Sequence, residues 1–244
     1  ERHRQSGLWV ALCITIERGQ QFQRLLILPH ATVDPEPVQP QPGISRCERD
    51  GALQIGLAVA KTIDDPLFTD LAQTAERLNL HLSIGFLERE HDRLFNASAL
   101  IGPTGVVGRY RKIHLPHLGV DRFVDRGDLP YQTHKTATRS VNDLSIGLAI
   151  CYDCSFPEPM RLLGLAGADI IALGTNWPVT ARRTAEVVPA ARSMENHLFF
   201  AAANRVGEER GFRFCGLSSI CGPDGKVFAS FDDDREALLI ADID

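Results

Sequence analysis

The sequence predicts an α/β fold in which two β-sheets pack face to face with helices on the outside, and three observations carry that prediction. Short apolar runs rich in branched residues recur along the chain, bounded by turn residues. Segments with helical periodicity stand between several of them. One pattern also occurs twice: "ALIGPTGVVGRY" and "SSICGPDGKVFA" share apolar-x-Gly-Pro-x-Gly-x-Val, each after a helix and a strand in the same order. Two such layers of strands, each covered by helices, imply the sandwich.

Taken in order, "LWVALCITI" and "RLLILPH" read as strands buried on both sides, separated only by "ERGQQFQ". The Pro-, Gly- and charge-rich segment "HATVDPEPVQPQPGISRCERDG" reads as a long loop. In "DDPLFTDLAQTAERLNL" the spacing of Leu67, Leu71, Ala75 and Leu78 gives one apolar stripe of a helix, with Asp64 or Asp65 as N-cap and Pro66 in the first turn. The strand "HLSIGFLER" follows, then "RLFNASALIGP" and "VVGRYRKIHL" joined through Pro103, Thr104 and Gly105. "SVNDLSIGLAIC" continues as a strand, "PEPMRLLGLAGA" as a short helix and "DIIALGTNW" as the next strand. A helix over "TAEVVPAARSMENH" is predicted to kink or break at Pro189 before the strand "LFFAAANRV". The chain closes with "GLSSICGPDGKVFASF" and "EALLIADID", read as strand, turn and strand.

A chain of 244 residues fits one domain, 1–244, with a substantial core, and 44% hydrophobic with 23% charged residues is ordinary for a globular protein. A net charge of -5 with no basic stripe argues against nucleic acid as a partner. The longest apolar runs fall short of a membrane span, and the first residues lack the apolar core and cleavage site of a signal peptide, so the expected location is the cytoplasm, away from membrane. The scattered Cys13, Cys47, Cys151, Cys154, Cys215 and Cys221 suit reduced thiols better than a disulfide framework.

The chemistry concentrates in "LAICYDCSFPEP". Cys151 ends a strand and opens a turn that leads to a helix, where a nucleophile is held rigid and accessible with backbone N–H groups nearby. A buried structural cysteine is the plain alternative. Zinc binding by Cys151 and Cys154 lacks two further ligands at suitable spacing, and in a redox pair the cysteines would open a helix, whereas Pro157 and Glu158 intervene here. In "GRYRKIHLPH", Arg109, Arg111 and Lys112 compete for the solvent face. Strand alternation nevertheless puts Lys112 with Tyr110 and His114, opposite Arg111 and Ile113, and an inward lysine beside a cysteine would hold a developing oxyanion.

Three stretches, "NASALIGPTGVVGRYRKIHLPHLGVDRFVDRGD", "LAICYDCSFPEPMRLLGLAGADIIALGTNWP" and "AAANRVGEERGFRFCGLSSICGPDGKVFAS", resemble the nitrilase superfamily of carbon-nitrogen hydrolases in order and spacing. The resemblance runs from about residue 64 to the end. It implies a four-layer αββα sandwich, homodimers or larger homo-oligomers, a small amide-like substrate, no cofactor and no metal. By motif, Cys151 is the nucleophile and Lys112 stabilises the tetrahedral intermediate with the backbone N–H of Tyr152. Asn176 and Trp177 resemble residues that line the substrate pocket, with packing in the core as the other reading of Trp177. Asp121 falls near a second glutamate that orients the lysine or the base. Glu158 is expected to brace the following helix.

The N-terminal region, 1–50, departs from the family twice. "LLILPHATV" carries His30 where the third catalytic residue, a glutamate, is expected, and the helix between the first two strands is replaced by seven residues. His30 serving as general base, Glu36 supplying the carboxylate from its loop, and a homologue with impaired catalysis that binds or assembles are the three readings this leaves.

Overall fold

The computed structural model describes residues 58–136, 144–209, 211–233 and 237–243, with the backbone of 11–15 and 23–28. Among the described residues fourteen strands fall in the order β1 (Ala11–Thr15), β2 (Gln23–Leu28), β3 (Leu80–Glu90), β4 (Arg93–Gly102), β5 (Gly105–Arg111), β6 (Thr133–Lys135), β7 (Ser145–Ile150), β8 (Ile170–Thr175), β9 (Phe199–Asn204), β10 (Glu208–Glu209), β11 (Phe212–Arg213), β12 (Ser219–Cys221), β13 (Val227–Ser230) and β14 (Leu239–Ile243). Three helices lie wholly within the described residues: α1 (Pro66–Leu78), α2 (Pro157–Leu165) and α3 (Arg182–Asn196).

One six-stranded sheet runs β14-β2-β1-β3-β4-β5 and is antiparallel throughout. The other runs β13-β12-β9-β8-β7-β6 with a parallel centre, β7-β8-β9. Parallel neighbours need crossovers, which α2 and α3 supply between β7 and β8 and between β8 and β9. The repeated Gly-Pro pattern marks the hairpins β4–β5 and β12–β13, one in each sheet.

Side-chain alternation sorts the core into three layers. Leu82, Ile84 and Phe86 of β3 and Ala97, Ala99 and Ile101 of β4 face α1. Leu100 and Tyr110 of the same sheet meet Ile146, Leu148 and Ile150 of β7 between the sheets. Ala149, Leu173 and Phe200 pack beneath the helix layer with Met160, Leu163 and Ala185. The result is the four-layer αββα sandwich.

Local chemistry sets the helix ends and their rotation. The Asp65 carboxylate accepts from the Leu67 N–H at 3.0 Å, Pro66 occupies the first turn, and Asn79 closes α1 in the left-handed conformation. Phe68, rather than Leu67, is the buried anchor, because its ring meets Phe86 edge-on at 5.0 Å; Leu78 is 54% exposed. Helix α3 runs unbroken through Pro189, contrary to the expected kink. Ala185, Pro189 and Ser193 form its buried stripe, so packing on the sheet offsets the one backbone hydrogen bond that proline removes. Strand β6 has no counterpart in the sequence reading, and β7 begins only at Ser145.

Candidate active site

Strand β5 stops one residue before Lys112, and the reason lies in where its next backbone groups bond. The Lys112 N–H still reaches the Asn96 carbonyl at 2.8 Å, but its carbonyl accepts from Gly127 N–H at 2.9 Å. Ile113 N–H then donates to the Tyr110 hydroxyl at 3.1 Å and His114 N–H to the Asp153 carboxylate at 3.2 Å. Side-chain acceptors replace the strand partner, and the chain turns inward.

Arg111 is not at a wet surface, as the charge run suggested. It is 2% exposed and lies over the Phe95 ring at 4.0 Å, gripped by Glu88 at 2.8 and 2.9 Å, Glu90 at 2.7 Å and Asp128 at 2.9 Å. Three carboxylates compensate one buried guanidinium, which makes its burial tolerable. Hydrogen bonds from Arg111 hold the Glu90 and Asp128 carboxyls below their ordinary range.

Lys112 is also buried, 3% exposed. Its ammonium pairs with Asp121, which the short 3-10 turn Gly119–Arg122 buries and which also accepts from Asn96 Nδ2 at 2.8 Å. Burial alone would lower the lysine's pKa, but the nearby Cys151, Asp121 and Asp153 outweigh it, and the net displacement is upward. Lys112 therefore stays charged through the neutral range.

Cys151 begins the 3-10 turn Cys151–Ser155 at the end of β7, half-buried, with φ of 45°. A left-handed backbone costs a residue with a Cβ roughly 1–2 kcal/mol, so the turn must be held by its surroundings. Cys154, by contrast, is fully buried in the core under the helices, where desolvation pushes its thiol far up. Helix α2 also starts directly at Pro157, with Glu158 in its first turn. A redox pair would need the second thiol accessible, and the C-x-x-C spacing brings no such group. Among the described residues no cluster of three His, Cys, Asp or Glu side chains could hold a metal, and no helix is long and apolar enough to cross a membrane.

Tyr152 is 39% exposed and stands edge-on to Phe156, whose other neighbour is the stacked ring of His114 at 4.4 Å. Asn176 follows β8, and its side-chain oxygen is buried without a hydrogen-bond partner among the described residues. Trp177 is 3% exposed in the helix-side core, its N–H bonded to Asn204 Oδ1 at 2.8 Å and its carbonyl to Cys215 N–H at 3.0 Å. The structure thus brings Lys112 and Asp121 together with Cys151 close by. His30 and Glu36 lie outside the described residues. Sequence reasoning passed over Asp153, Tyr131 and Asn96; a carboxylate two residues past the cysteine in a buried turn was the signal for the first of these.

Comparison with known proteins fits this geometry. A family model described as carbon-nitrogen hydrolase matches residues 48–244. A nitrilase of Pyrococcus abyssi is 34% identical over 176 residues, 72% of this chain and 64% of that protein. An N-carbamoylputrescine amidase of Arabidopsis thaliana is 29% identical over 198 residues, 73% of this chain and 64% of that one. The chain spans just under two thirds of the length of these curated relatives. An amidase from Nesterenkonia sp. AN1, solved as a variant with the acetamide moiety of fluoroacetamide added covalently at its active-site cysteine, superposes with a TM-score of 0.66. Its identity is 23%, and the match covers 79% of this chain and 72% of that one, a likeness of fold.

Proposed function

Given that the chain belongs to the carbon-nitrogen hydrolase family, we propose that it hydrolyses the C–N bond of a small linear amide or N-carbamoyl compound through a thioester on Cys151. The observation that carries this reading is the buried Lys112 ammonium, with Asp121 as its counter-charge and Cys151 near enough to help hold its pKa up.

The general base takes the Cys151 thiol proton, and the sulfur forms a bond to the carbonyl carbon while the carbonyl electrons move onto oxygen. Lys112 and the Tyr152 N–H face that oxyanion, and a prearranged cation in a dry site stabilises it more than water does. Collapse breaks the C–N bond, and the amine leaves with a proton from the general base. Water, deprotonated by the same base, then adds to the thioester carbonyl, and the C–S bond breaks as the base returns its proton to the Cys151 sulfur. Asn176 Oδ1, a buried acceptor without a donor among the described residues, suits an amide N–H, and the burial of Trp177 supports a packing role that fixes Asn176. His30 is proposed as the base on the strength of the motif position it occupies, with Glu36 as the substitute.

The test is an amide panel with fluoroacetamide as trapping agent and mass spectrometry of the Cys151 peptide. An adduct on Cys151, with ammonia release abolished in Cys151→Ala, supports the reading; no adduct and unchanged release in Cys151→Ala overturns it. Restoration of turnover by His30→Glu in an inactive wild type would instead identify a chain whose site persists for binding. Exposed Leu162 and Leu165 on α2 and Met194 on α3 support assembly into a homodimer or larger oligomer, which light scattering reads directly. The scattered cysteines, of which the four described are free, support a cytoplasmic location.

A further inference from the structure

We propose that Asp153 is a positioning residue that holds the Cys151 turn and the Lys112 segment in register, an inference that rests on reading those two side chains as the working pair. Asp153 is fully buried, and its two oxygens collect contacts from three separate stretches of chain. Oδ1 accepts from the His114 N–H at 3.2 Å, lies 2.9 Å from His114 Nδ1 and accepts from the Tyr131 hydroxyl at 3.3 Å. Oδ2 accepts from the Ile150 N–H at 3.0 Å and from the Tyr110 hydroxyl at 2.9 Å.

These bonds span the site. Ile150 is the residue before the nucleophile, so the bond to its N–H closes the turn on which Cys151 takes its left-handed backbone. Tyr110 and His114 flank Lys112 at two residues on either side, so their bonds fix both ends of the segment that aims the ammonium. One carboxylate thus stands between the two halves of the proposed chemistry without touching the substrate. Burial and the Asp153 charge hold the Tyr110 hydroxyl well above its ordinary pKa, keeping it a donor.

The bonding pattern also dictates which variant breaks it. Each oxygen of Asp153 faces one backbone N–H, His114 on one side and Ile150 on the other. A carboxamide has one acceptor and one donor end, so whichever way it turned at this position, its NH2 would oppose a backbone N–H that cannot reverse. Asp153→Asn therefore removes one anchor while keeping the side chain's size.

The experiment compares wild type with Asp153→Asn at a temperature where circular dichroism shows both folded. Cys151 adducts are followed with two probes. Fluoroacetamide forms a C–S bond only with loss of fluoride, a poor leaving group, and depends on a positioned site; iodoacetamide reports thiol access alone. The expected result is a fall of about 10-fold or more in the fluoroacetamide rate relative to the iodoacetamide rate. A matching loss in kcat with KM within about threefold is expected beside it. A folded Asp153→Asn with ratio and kcat within about twofold of wild type overturns the inference. Should Asp153→Asn not fold, the double variant Tyr110→Phe and Tyr131→Phe decides: it withdraws two hydroxyl donors and introduces no opposed one. A drop of about threefold or more in the same ratio supports the inference, and an unchanged ratio overturns it. A wild type that takes no fluoroacetamide and hydrolyses no amide removes the proposed function and this inference together, whereas an active wild type with an indifferent Asp153→Asn removes this inference alone.

Discussion

Replacing Asp121 with asparagine isolates what the carboxylate does for Lys112. Asp121 is 4% exposed, with one oxygen on the ammonium and the other on Asn96 Nδ2 at 2.8 Å. Stranding a buried charge costs roughly 3–5 kcal/mol. The carboxamide oxygen still offers Lys112 one hydrogen bond to a charged group, worth roughly 1.5–3 kcal/mol, and Asn96 can turn its own amide to meet the new NH2. The difference leaves a loss of about 2 kcal/mol, or about 4–8 °C in Tm for a chain of this size. If the displaced ammonium no longer meets the oxyanion, the same 2 kcal/mol appears as about a 30-fold drop in kcat. The pH dependence has a definite sign. The folded pKa of Lys112 is raised, so its contribution is fully present below the ordinary value of 10.5 and is lost as pH rises through the folded value. The gap in Tm between wild type and Asp121→Asn should be constant from pH 7 to about 10 and close above that, measured by thermal melts alongside amide hydrolysis. Equal Tm and equal kcat at pH 7, or a gap that persists undiminished through the alkaline limb, would refute the reasoning.

Two further expectations concern stability. Arg111→Met leaves Glu88, which is 1% exposed, with Arg109 as its remaining ion-pair partner and one oxygen short of its donor, and should cost about 1–3 kcal/mol in urea unfolding; adding Glu88→Gln should recover part of it, and an unchanged Arg111→Met would show that the cluster contributes little. The same variant should flatten the acid limb, because the depressed Glu90 and Asp128 pKa values contribute stability above their ordinary values, 4.5 and 3.8, that is lost as pH falls through the folded ones. His134 is buried against Gly108, its Nε2 without a partner among the described residues, and desolvation lowers its pKa. The unfolded chain then binds a proton near 6.5 before the folded chain does, so wild-type stability should decline as pH falls below about 6.5, and His134→Gln should remove that step from a Tm-against-pH curve while leaving the carboxylate limb below it.

The layers were legible because period-two and helical patterns report burial directly: β3, β4 and β7 fall where their apolar runs predict, and α1 starts at its cap and proline. What escaped was set by tertiary contacts. Phe68 displaced Leu67 as the anchor of α1 because a partner ring, Phe86, waited across the interface. Pro189 failed to break α3 because the sheet packs against its stripe. Arg111 looked like surface because its three counter-charges come from positions 88, 90 and 128, which no local window unites. At the site, the alternation that sends Lys112 inward was readable, whereas Asp153, its neighbours Tyr110 and Tyr131, and the Asn96 contact of Asp121 depend on pairings between distant segments.

The bonding state of these carboxylates narrows where the base of the proposed reaction could come from. Asp121 is committed to a charged lysine and to Asn96, and taking a proton there would discharge the pair that keeps Lys112 cationic. Asp153 is surrounded by donors, so a proton on it would oppose one of them and release the turn under Cys151. His114 has its Nδ1 on that same carboxylate. Tyr110 and Tyr131 are both held above their ordinary range by burial and by the Asp153 charge, which makes them donors at neutral pH. Each of these groups stabilises the arrangement through the hydrogen bonds it already makes, and a base must accept and release a proton twice in every turnover. For the proposed reaction the proton acceptor is therefore sought outside this network, with His30, set by the sequence reading at the expected glutamate position, as the proposed candidate and Glu36 as its alternative. If His30 is that acceptor, His30→Glu would alter its basicity and reach while leaving Lys112, Asp121 and Asp153 unchanged.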